Sequence, residues 1–430
     1  MARQPPDTLY ALVDNALADT SPGRVVWVAL SGGLDSSLLL NVAAEVCRAR
    51  SLVLHALHID HGLQAAAADF VAHCQRLCAE LDVPLHVERV QVDLDGQGLE
   101  GAARQARYAA FSRLVNTGDT LMLAQHCTDQ AETFMLAALR GSGIRGLAGM
   151  PERRRWKGID IVRPWLAMSR GELEVQAKRR GLAWVEDPSN EDTGPARNFL
   201  RRRVMPLLAE RWPHAAQSLA QAARQAGEAD ALLQELSEED LAAAGNDPGR
   251  LDVAALKVLS PGRQRLLLRH ACRILLLPTP PRERLETLLE QLDAGDDTQV
   301  RVAWPGTEAR RWRGGLYLMV PQSPLSPAES RWQARWNGRD ALETPLGWLR
   351  LGVSSTADLT VTWRKGGEIL TLAERGRRDL KRLLQESGLP PWERKRVLVV
   401  SASGDCVAAL RPPDEVLFQA KGWDFKPYCF

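Results

Sequence analysis

The chain has 430 residues, of which 45% are hydrophobic and 25% are charged. These proportions are ordinary for a folded protein, so disorder is not the expected state. The length predicts about two or three domains. Basic and acidic residues nearly balance at a formal net charge of +2, so any surface for nucleic acid must be local.

The cysteines are scattered and none forms a Cys-x-x-Cys pair. Their odd number and irregular spacing argue against a disulfide framework, a zinc ribbon and an iron–sulfur site. The first residues do not resemble a secretory signal, and no apolar run is long enough to span a membrane. We therefore expect a reduced, cytoplasmic protein.

Short apolar runs alternate with longer stretches of helical spacing in the first third of the chain. The runs predict strands at 24–30, 52–60, 84–92 and 119–126. The stretches predict helices at 37–48, 65–81, 99–116 and 129–139. Units of this size are typical of parallel strands joined by crossover helices. The pattern predicts an α/β fold with a doubly wound, mostly parallel sheet, whose ligands bind beyond the carboxyl ends of the strands.

The pattern changes after this sheet. Helical spacing dominates 215–292, short strands are predicted at 299–320, and the Pro- and Ser-rich PQSPLSPAES at 321–330 is typical of a linker. We predict a catalytic domain at 1–214, a mainly helical domain at 215–320, a linker at 321–331 and a small mixed α+β domain at 332–430.

The segment SGGLDSS at 31–37 lies where the first predicted strand ends and a helix begins. Gly32 and Gly33 permit a tight turn that brings backbone N–H groups close to a ligand, and the helix start adds unsatisfied donors. The site suits phosphate, although the Lys of a Walker A loop is absent. Asp35 among phosphates would need Mg²⁺ or another cation. The ordinary alternative is a glycine turn whose Ser or Asp caps the helix.

Polar residues also follow the other predicted strands. His58 and Asp60 share one face at the end of the second strand, Arg107 lies on a later helix, and Asp129 and Glu132 share a helix face after the fourth strand. Each has an ordinary alternative, such as a surface ion pair or carboxylates at a helix N-terminus. Because these clusters lie at the ends of consecutive strands, together they predict one binding site.

Together these motifs resemble the tRNA(Ile)-lysidine synthetase family of the N-type ATP pyrophosphatases. The loop at 31–37 is similar to the pyrophosphate loop of that superfamily. Further motifs occur in the order of the family: LHIDHGL at 57–63, E-x-x-A-R-x-x-R-Y at 100–108, DQAET at 129–133, RGSGIRGLAGM at 140–150, EDPSN at 186–190, RNFLR at 197–201 and GRRDLKRLLQESGLPPWERKR at 376–396.

The resemblance implies a ligase that forms a C–N bond. With ATP and Mg²⁺, it would adenylate C2 of the wobble cytidine in an isoleucine tRNA with a CAU anticodon and release pyrophosphate. The amine of L-lysine would then displace AMP to give lysidine. The resemblance further implies a monomer or homodimer, and it leaves open which group accepts the proton of the lysine.

The resemblance also implies roles for individual residues. Those expected to bind ATP are Ser31, Gly32, Gly33, Leu34, Asp35, Ser36, His58 and Asp60. Those expected to act in catalysis are Asp35, Arg107, Asp129 and Glu132, with Asp35 and Asp129 as metal ligands and Asp129 and Glu132 as the lysine site. Those expected to contact tRNA are Arg197, Arg201, Arg378, Lys381 and Arg382.

One segment departs from the family pattern, which reads His-His-x-Asp-Asp before Gln-Ala-Glu-Thr. Here Gln125 and Thr128 replace one His and one Asp, while His126 and Asp129 remain. Because the other motifs are intact, we expect the missing aspartate to be dispensable. The alternatives are a non-catalytic tRNA-binding homologue and another modification enzyme of this superfamily, such as a thiolase. A thiolase should carry paired cysteines, whereas Cys127 is the only cysteine within a motif.

Overall fold

The computed structural model describes residues 8–62, 67–92, 99–186, 191–292, 300–323, 325–353 and 357–427. Residue 63 and residues 187–190, which belong to two of the motifs above, lie outside these ranges. The chain divides into two compact units, Met1–Leu236 and Ser237–Phe430. The domain boundaries given above stay predictions.

Helices and strands alternate regularly in the first unit. Its α-helices are α1 (Thr8–Ala16), α2 (Leu34–Arg50), α3 (Ala67–Leu81), α4 (Leu99–Leu114), α5 (Cys127–Leu139), α6 (Ile144–Leu147), α7 (Arg170–Arg179), α8 (Ala196–Phe199), α9 (Met205–Arg211) and α10 (Ala215–Ala243), the last of which continues into the second unit. Its strands are β1 (Val25–Ala29), β2 (Val53–Asp60), β3 (Leu85–Arg89), β4 (Thr120–Met122), β5 (Arg153–Trp156) and β6 (Ile159–Val162). A π-helical turn, Leu200–Val204, joins α8 to α9.

The six strands form one sheet in the order β3-β2-β1-β4-β6-β5. All neighbours run parallel except β5, an antiparallel edge strand beside β6. Successive β1 residues pack on opposite faces: Val26 and Val28 join a core with α1, α2, α3 and α7, whereas Trp27 packs with Phe111 of α4. Apolar cover on both faces explains why this strand is continuously apolar in sequence. The predicted doubly wound, mostly parallel sheet is confirmed.

The second unit combines helices with antiparallel sheets. Its helices are α11 (Val253–Val258), α12 (Pro261–Ile274), α13 (Arg282–Leu292), α14 (Pro327–Ser330), α15 (Leu380–Glu386) and α16 (Pro391–Arg394). Its strands are β7 (Arg250–Asp252), β8 (Arg301–Trp304), β9 (Thr307–Trp312), β10 (Gly315–Met319), β11 (Gln333–Trp336), β12 (Leu342–Thr344), β13 (Gly347–Leu349), β14 (Leu351–Val353), β15 (Leu359–Trp363), β16 (Ile369–Leu372), β17 (Gly376–Asp379), β18 (Leu398–Ala402), β19 (Asp405–Arg411), β20 (Glu415–Gln419) and β21 (Phe425–Pro427).

Two larger sheets organise this unit. Helices α11 to α13 share a core with the sheet β7-β10-β9-β8, and the sheet β11-β15-β18-β19-β20 lies near the C-terminus. Helix α15 packs in a further core with residues of β16, β18 and β19. The predicted helical middle and mixed C-terminal region are thereby confirmed. Among the described residues, no helix combines the length and apolarity needed to cross a membrane.

Candidate active site

The topology of the sheet places two loops side by side. Strand β1 lies between β2 and β4, so the chain reverses its direction of winding at β1. In sheets of this kind ligands bind at such a switch point, beyond the carboxyl ends of the strands. The loop before α2 follows β1 there, and the loop before α5 follows β4. The polar motifs predicted to form one site therefore converge on one edge.

The loop after β1 is built as a cradle for an anion. Gly32 has φ +87°, and a Cβ there would lie 3.2 Å from Phe70 and 3.3 Å from Cys74 Sγ, so both the turn and its surroundings require glycine. Gly33 is the N-cap of α2 and supplies no side-chain cap, which leaves N–H groups of the first turn for a ligand. The Ser36 hydroxyl bonds within the loop, 3.1 Å from the backbone N of Ser31.

His58 and Asp60 lie at the end of β2, and both are buried. His58 Nδ1 donates to the carbonyl oxygen of Leu30 at 2.8 Å and so ties β2 to the start of the glycine loop. Asp60 accepts from the Gly62 N–H at 2.9 Å, and this bond is the main cause that lowers the pKa of the Asp60 carboxyl. Arg89 Nε, 3.2 Å from Asp60 Oδ2, lowers it further. These contacts shape the loop, and binding of ATP by the two side chains stays a prediction.

His126 lies between the two predicted metal ligands. It is the N-cap of α5, and its Nδ1 accepts the N–H of Thr128 at 3.2 Å. A ring nitrogen that accepts this bond carries no proton, so the proton of the neutral ring is on Nε2. That Nε2 lies 3.5 Å from Asp129 Oδ2 and 3.8 Å from Asp35 Oδ2. The imidazole thus faces a carboxylate from each of the two loops.

The Asp35 carboxylate has few hydrogen-bonding partners. Burial raises the pKa of its carboxyl, and the charge of Asp129 adds to this, while His126, Arg170 and Arg201 act in the opposite direction. Its Oδ1 is buried and has no hydrogen-bond partner among the described residues. An unpartnered buried carboxylate oxygen beside a phosphate loop fits Mg²⁺, which prefers oxygen ligands. Within the described ranges, however, no three His, Cys, Asp or Glu side chains converge as a protein-only metal site would require.

Two arginines hold the acidic residues of α5. Glu132 is fully buried, and its oxygens lie 2.6 Å from Arg201 Nε and 2.7 Å from Arg197 Nε. Asp129 Oδ1 lies 2.9 Å from Arg201 Nη2 and 3.2 Å from Arg197 Nη2. Burial favours the neutral form of Asp129, but His126 and the two arginines outweigh it and lower the pKa of its carboxyl. The structure therefore brings four predicted site residues into one cluster.

Arg107 lies on the exposed side of α4. Burial lowers the pKa of the His61 imidazole, and the charge of Arg107 lowers it further. Both ring nitrogens of His61 are buried without a hydrogen-bond partner among the described residues. His61 is not among the predicted site residues, although the LHIDHGL motif that contains it is a signal for such a role. Against the effect of burial, the charge of Arg170 acts to lower the pKa of Asp35, but no motif in the sequence marks Arg170 as a residue of the site.

The comparisons with known proteins agree with one another over most of the chain. Residues 8–208 match the PP-loop domain, residues 251–317 the TilS substrate binding domain and residues 359–418 the TilS substrate C-terminal domain. A tRNA(Ile)-lysidine synthase of Xanthomonas axonopodis pv. citri is 43% identical over 405 residues, which cover 91% of this chain and 91% of that protein. One of Pseudomonas putida is 44% identical over 403 residues, covering 89% of this chain and 91% of that protein.

This chain belongs to the tRNA(Ile)-lysidine synthase family. Among solved structures, a U34-tRNA thiolase, NcsA from Methanococcus maripaludis, is 15% identical, with a TM-score of 0.42 over 50% of this chain and 76% of that chain. A likeness of this degree carries no argument about the reaction.

The departure from the family pattern has a structural explanation at Gln125. Its Oε1 accepts from Arg163 Nε at 2.5 Å, and Arg163 Nη1 donates to the carbonyl oxygen of Pro151 at 2.8 Å. Arg163 is only 2% exposed, and burial lowers its pKa. Gln125 therefore supplies a hydrogen-bond acceptor for the buried guanidinium of Arg163. The sequence alone does not predict this contact. Thr128, the other departure, supplies the N–H bound by His126.

The second unit carries the remaining predicted tRNA contacts. Arg378 lies in β17 beside Asp379, the last residue of that strand and the N-cap of α15, and Lys381 and Arg382 lie in the first turn of that helix. All three basic side chains are exposed. Trp392 packs edge-on against Tyr317 at 5.3 Å between ring centroids, so it takes part in internal packing.

Proposed function

We propose that this chain ligates lysine to C2 of the wobble cytidine in a CAU-anticodon isoleucine tRNA, through an adenylated tRNA. The observation that carries the proposal is the convergence of a glycine phosphate loop, the unpartnered oxygen of Asp35 and the Asp129–Glu132 pair at the switch point of the sheet. Membership of the tRNA(Ile)-lysidine synthase family supports the same reaction. The non-catalytic and thiolase alternatives are not favoured.

ATP would lie on residues 31–36, with its phosphates on the N–H groups at the start of α2. Mg²⁺ held by Asp35 would neutralise phosphate charge during adenylation. Arg107 would contact the α-phosphate and stabilise the charge that develops there. The oxygen at C2 of the cytidine attacks the α-phosphorus, the bond to pyrophosphate breaks, and the oxygen becomes a leaving group.

The lysine amine then attacks C2, and the C–O bond to AMP breaks. Asp129 and Glu132 would bind the lysine, since carboxylates suit an ammonium group. The amine must lose a proton to attack. His126 Nδ1 already accepts the N–H of Thr128, so this nitrogen is not arranged to take that proton.

The tRNA needs a basic surface, because phosphates dominate the affinity for nucleic acid. Arg378, Lys381 and Arg382 are exposed and would contact its backbone. Arg197 and Arg201 would approach the adenylated nucleotide. We place the reaction in the cytoplasm and expect a monomer or homodimer.

Single-turnover labelling tests the proposal. The protein is mixed with Mg-ATP, radiolabelled lysine and unmodified CAU-anticodon isoleucine tRNA, with methionine tRNA as the control substrate. We expect label only in the isoleucine tRNA, and its loss in Asp35→Ala. Asp69→Ala, which removes an exposed carboxylate from α3, is the matched control and should label normally. Binding of tRNA without label would contradict the proposal and favour a non-catalytic homologue.

A further inference from the structure

The carboxylate oxygens of the acidic residues proposed to bind lysine already accept hydrogen bonds from other groups of the protein. We call Asp129 and Glu132 the acid pair, and Arg197 and Arg201 the arginine pair. Glu132 Oε1 accepts from Arg201 Nε at 2.6 Å, and Oε2 accepts from Arg197 Nε at 2.7 Å and from Arg201 Nη2 at 3.0 Å. Asp129 Oδ1 accepts from both arginines, and Oδ2 accepts the backbone N–H of His126 at 3.1 Å. Each of the four carboxylate oxygens thus has a donor.

The acid pair and the arginine pair also cancel in charge. A fully buried carboxylate such as Glu132 needs a counter-ion, and the two guanidinium groups supply it. An arginine does not lose its proton in a protein, so it cannot become neutral to make room for another cation. A substrate ammonium can therefore reach the acid pair only if a guanidinium moves away and finds another anion.

The backbone around Arg201 is suited to such a movement. Arg201 lies in the π-helical turn Leu200–Val204, between the short helices α8 and α9. π-helical turns are rare and are found frequently at functional sites. A change of register by one residue would rotate a side chain by about 100° around the helix axis. Arg201 could thus leave Glu132 without unfolding of its neighbours.

We propose that the arginine pair is a gate that keeps the lysine site closed until a phosphoryl anion draws an arginine away. His126 Nε2 lies 3.5 Å from Asp129 Oδ2 and 3.8 Å from Asp35 Oδ2, so the acid pair borders the phosphate loop. Arg201 Nη2 lies 2.9 Å from Asp129 Oδ1, so an anion bound at that loop would compete with the acid pair for this guanidinium. The amine would bind only once such an anion occupies the loop. This inference rests on the proposed function, and Arg197 and Arg201 act in it as positioning residues.

Equilibrium dialysis of radiolabelled lysine tests the gate, with AMP as the probe anion. For the unmodified protein, AMP should tighten lysine binding by about tenfold or more, the value of one charge-assisted hydrogen bond. By reciprocity, lysine should tighten AMP binding by the same factor. If AMP leaves the dissociation constant of lysine unchanged, the gate is wrong.

Variants of Arg201 separate the gate from a purely structural role. Arg201→Gln should bind lysine without AMP about tenfold more tightly than the unmodified protein, because donors to both acids are lost. Arg201→Lys keeps the charge needed for folding, but one ammonium group cannot reproduce the several N–H donors of the planar guanidinium. The factor by which AMP tightens lysine binding should therefore fall in this variant. Arg211→Gln, an exposed arginine in α9, is the control and should behave like the unmodified protein. Equal lysine affinities for all four proteins without AMP would overturn the proposal.

The labelling assay above distinguishes the two proposals. If the protein forms lysidine but AMP and lysine bind independently, only the gate fails. If no lysidine forms, the proposed function fails, whatever the binding data show.

Discussion

Replacing Arg201 by methionine should destabilise the first unit far more than the loss of an exposed ion pair. Arg201 donates to Glu132 at 2.6 and 3.0 Å and to Asp129 at 2.9 Å. Removing one partner of a buried pair costs about 3–5 kcal/mol. Arg197 remains as a counter-ion and the side chain of Arg201 is 27% exposed, so we expect a loss of about 2–4 kcal/mol in the free energy of unfolding.

Urea denaturation followed by circular dichroism measures this loss. Lys178→Met breaks the exposed Lys178–Glu174 pair and should leave the free energy of unfolding almost unchanged. Adding Glu132→Gln to Arg201→Met removes the buried charge and should recover at least about 1 kcal/mol. A cost for Arg201→Met as small as that for Lys178→Met would refute the view that the arginine is the counter-ion of Glu132.

Three further predictions concern other parts of the chain. Asp35→Asn should make the protein more stable than the unmodified chain at pH 7 without divalent cations. The raised pKa of Asp35 means that ionisation opposes folding, so this difference should shrink as the pH falls through the raised pKa and be gone below the ordinary Asp pKa, as thermal melts at several pH values would reveal. Gln125→Leu should cost about 1–3 kcal/mol in urea denaturation because Arg163 loses a buried acceptor, whereas Gln125→His, with a ring nitrogen as acceptor, should cost less. Trp392→Leu should destabilise the second unit by about 2 kcal/mol through lost aromatic contacts and its cation–π contact with Arg310, and a melt unchanged from that of the unmodified chain would contradict this packing.

The sequence predicts the sheet well because parallel strands covered on both faces must be apolar throughout. The start of α2 is less visible: it begins at Leu34, whereas the pattern predicts 37, because Gly33 caps the helix without a side-chain signal. The π-helical turn at Leu200–Val204 is not visible in the sequence either. Nothing in the letters LRRRV distinguishes a π-helical from an α-helical turn.

The location of the site is also readable from sequence, because polar residues after parallel strands meet at one edge. The sequence does not reveal which side chains the charged residues contact. Arg197 and Glu132 are 65 positions apart, and helical spacing says nothing about contacts at that distance. Buried Arg163 gave no signal either, since a charged residue is read as exposed until its acceptors are known.

The proposed reaction requires that this chain forms an adenylated tRNA before lysine reacts. ATP labelled at the α-phosphorus, Mg²⁺ and unmodified CAU-anticodon isoleucine tRNA are mixed with the protein in the absence of lysine, and the tRNA is then isolated. We predict label on the tRNA, and its release as AMP when lysine is added. If the tRNA remains unlabelled while lysine and ATP together still modify it, the adenylated intermediate is contradicted.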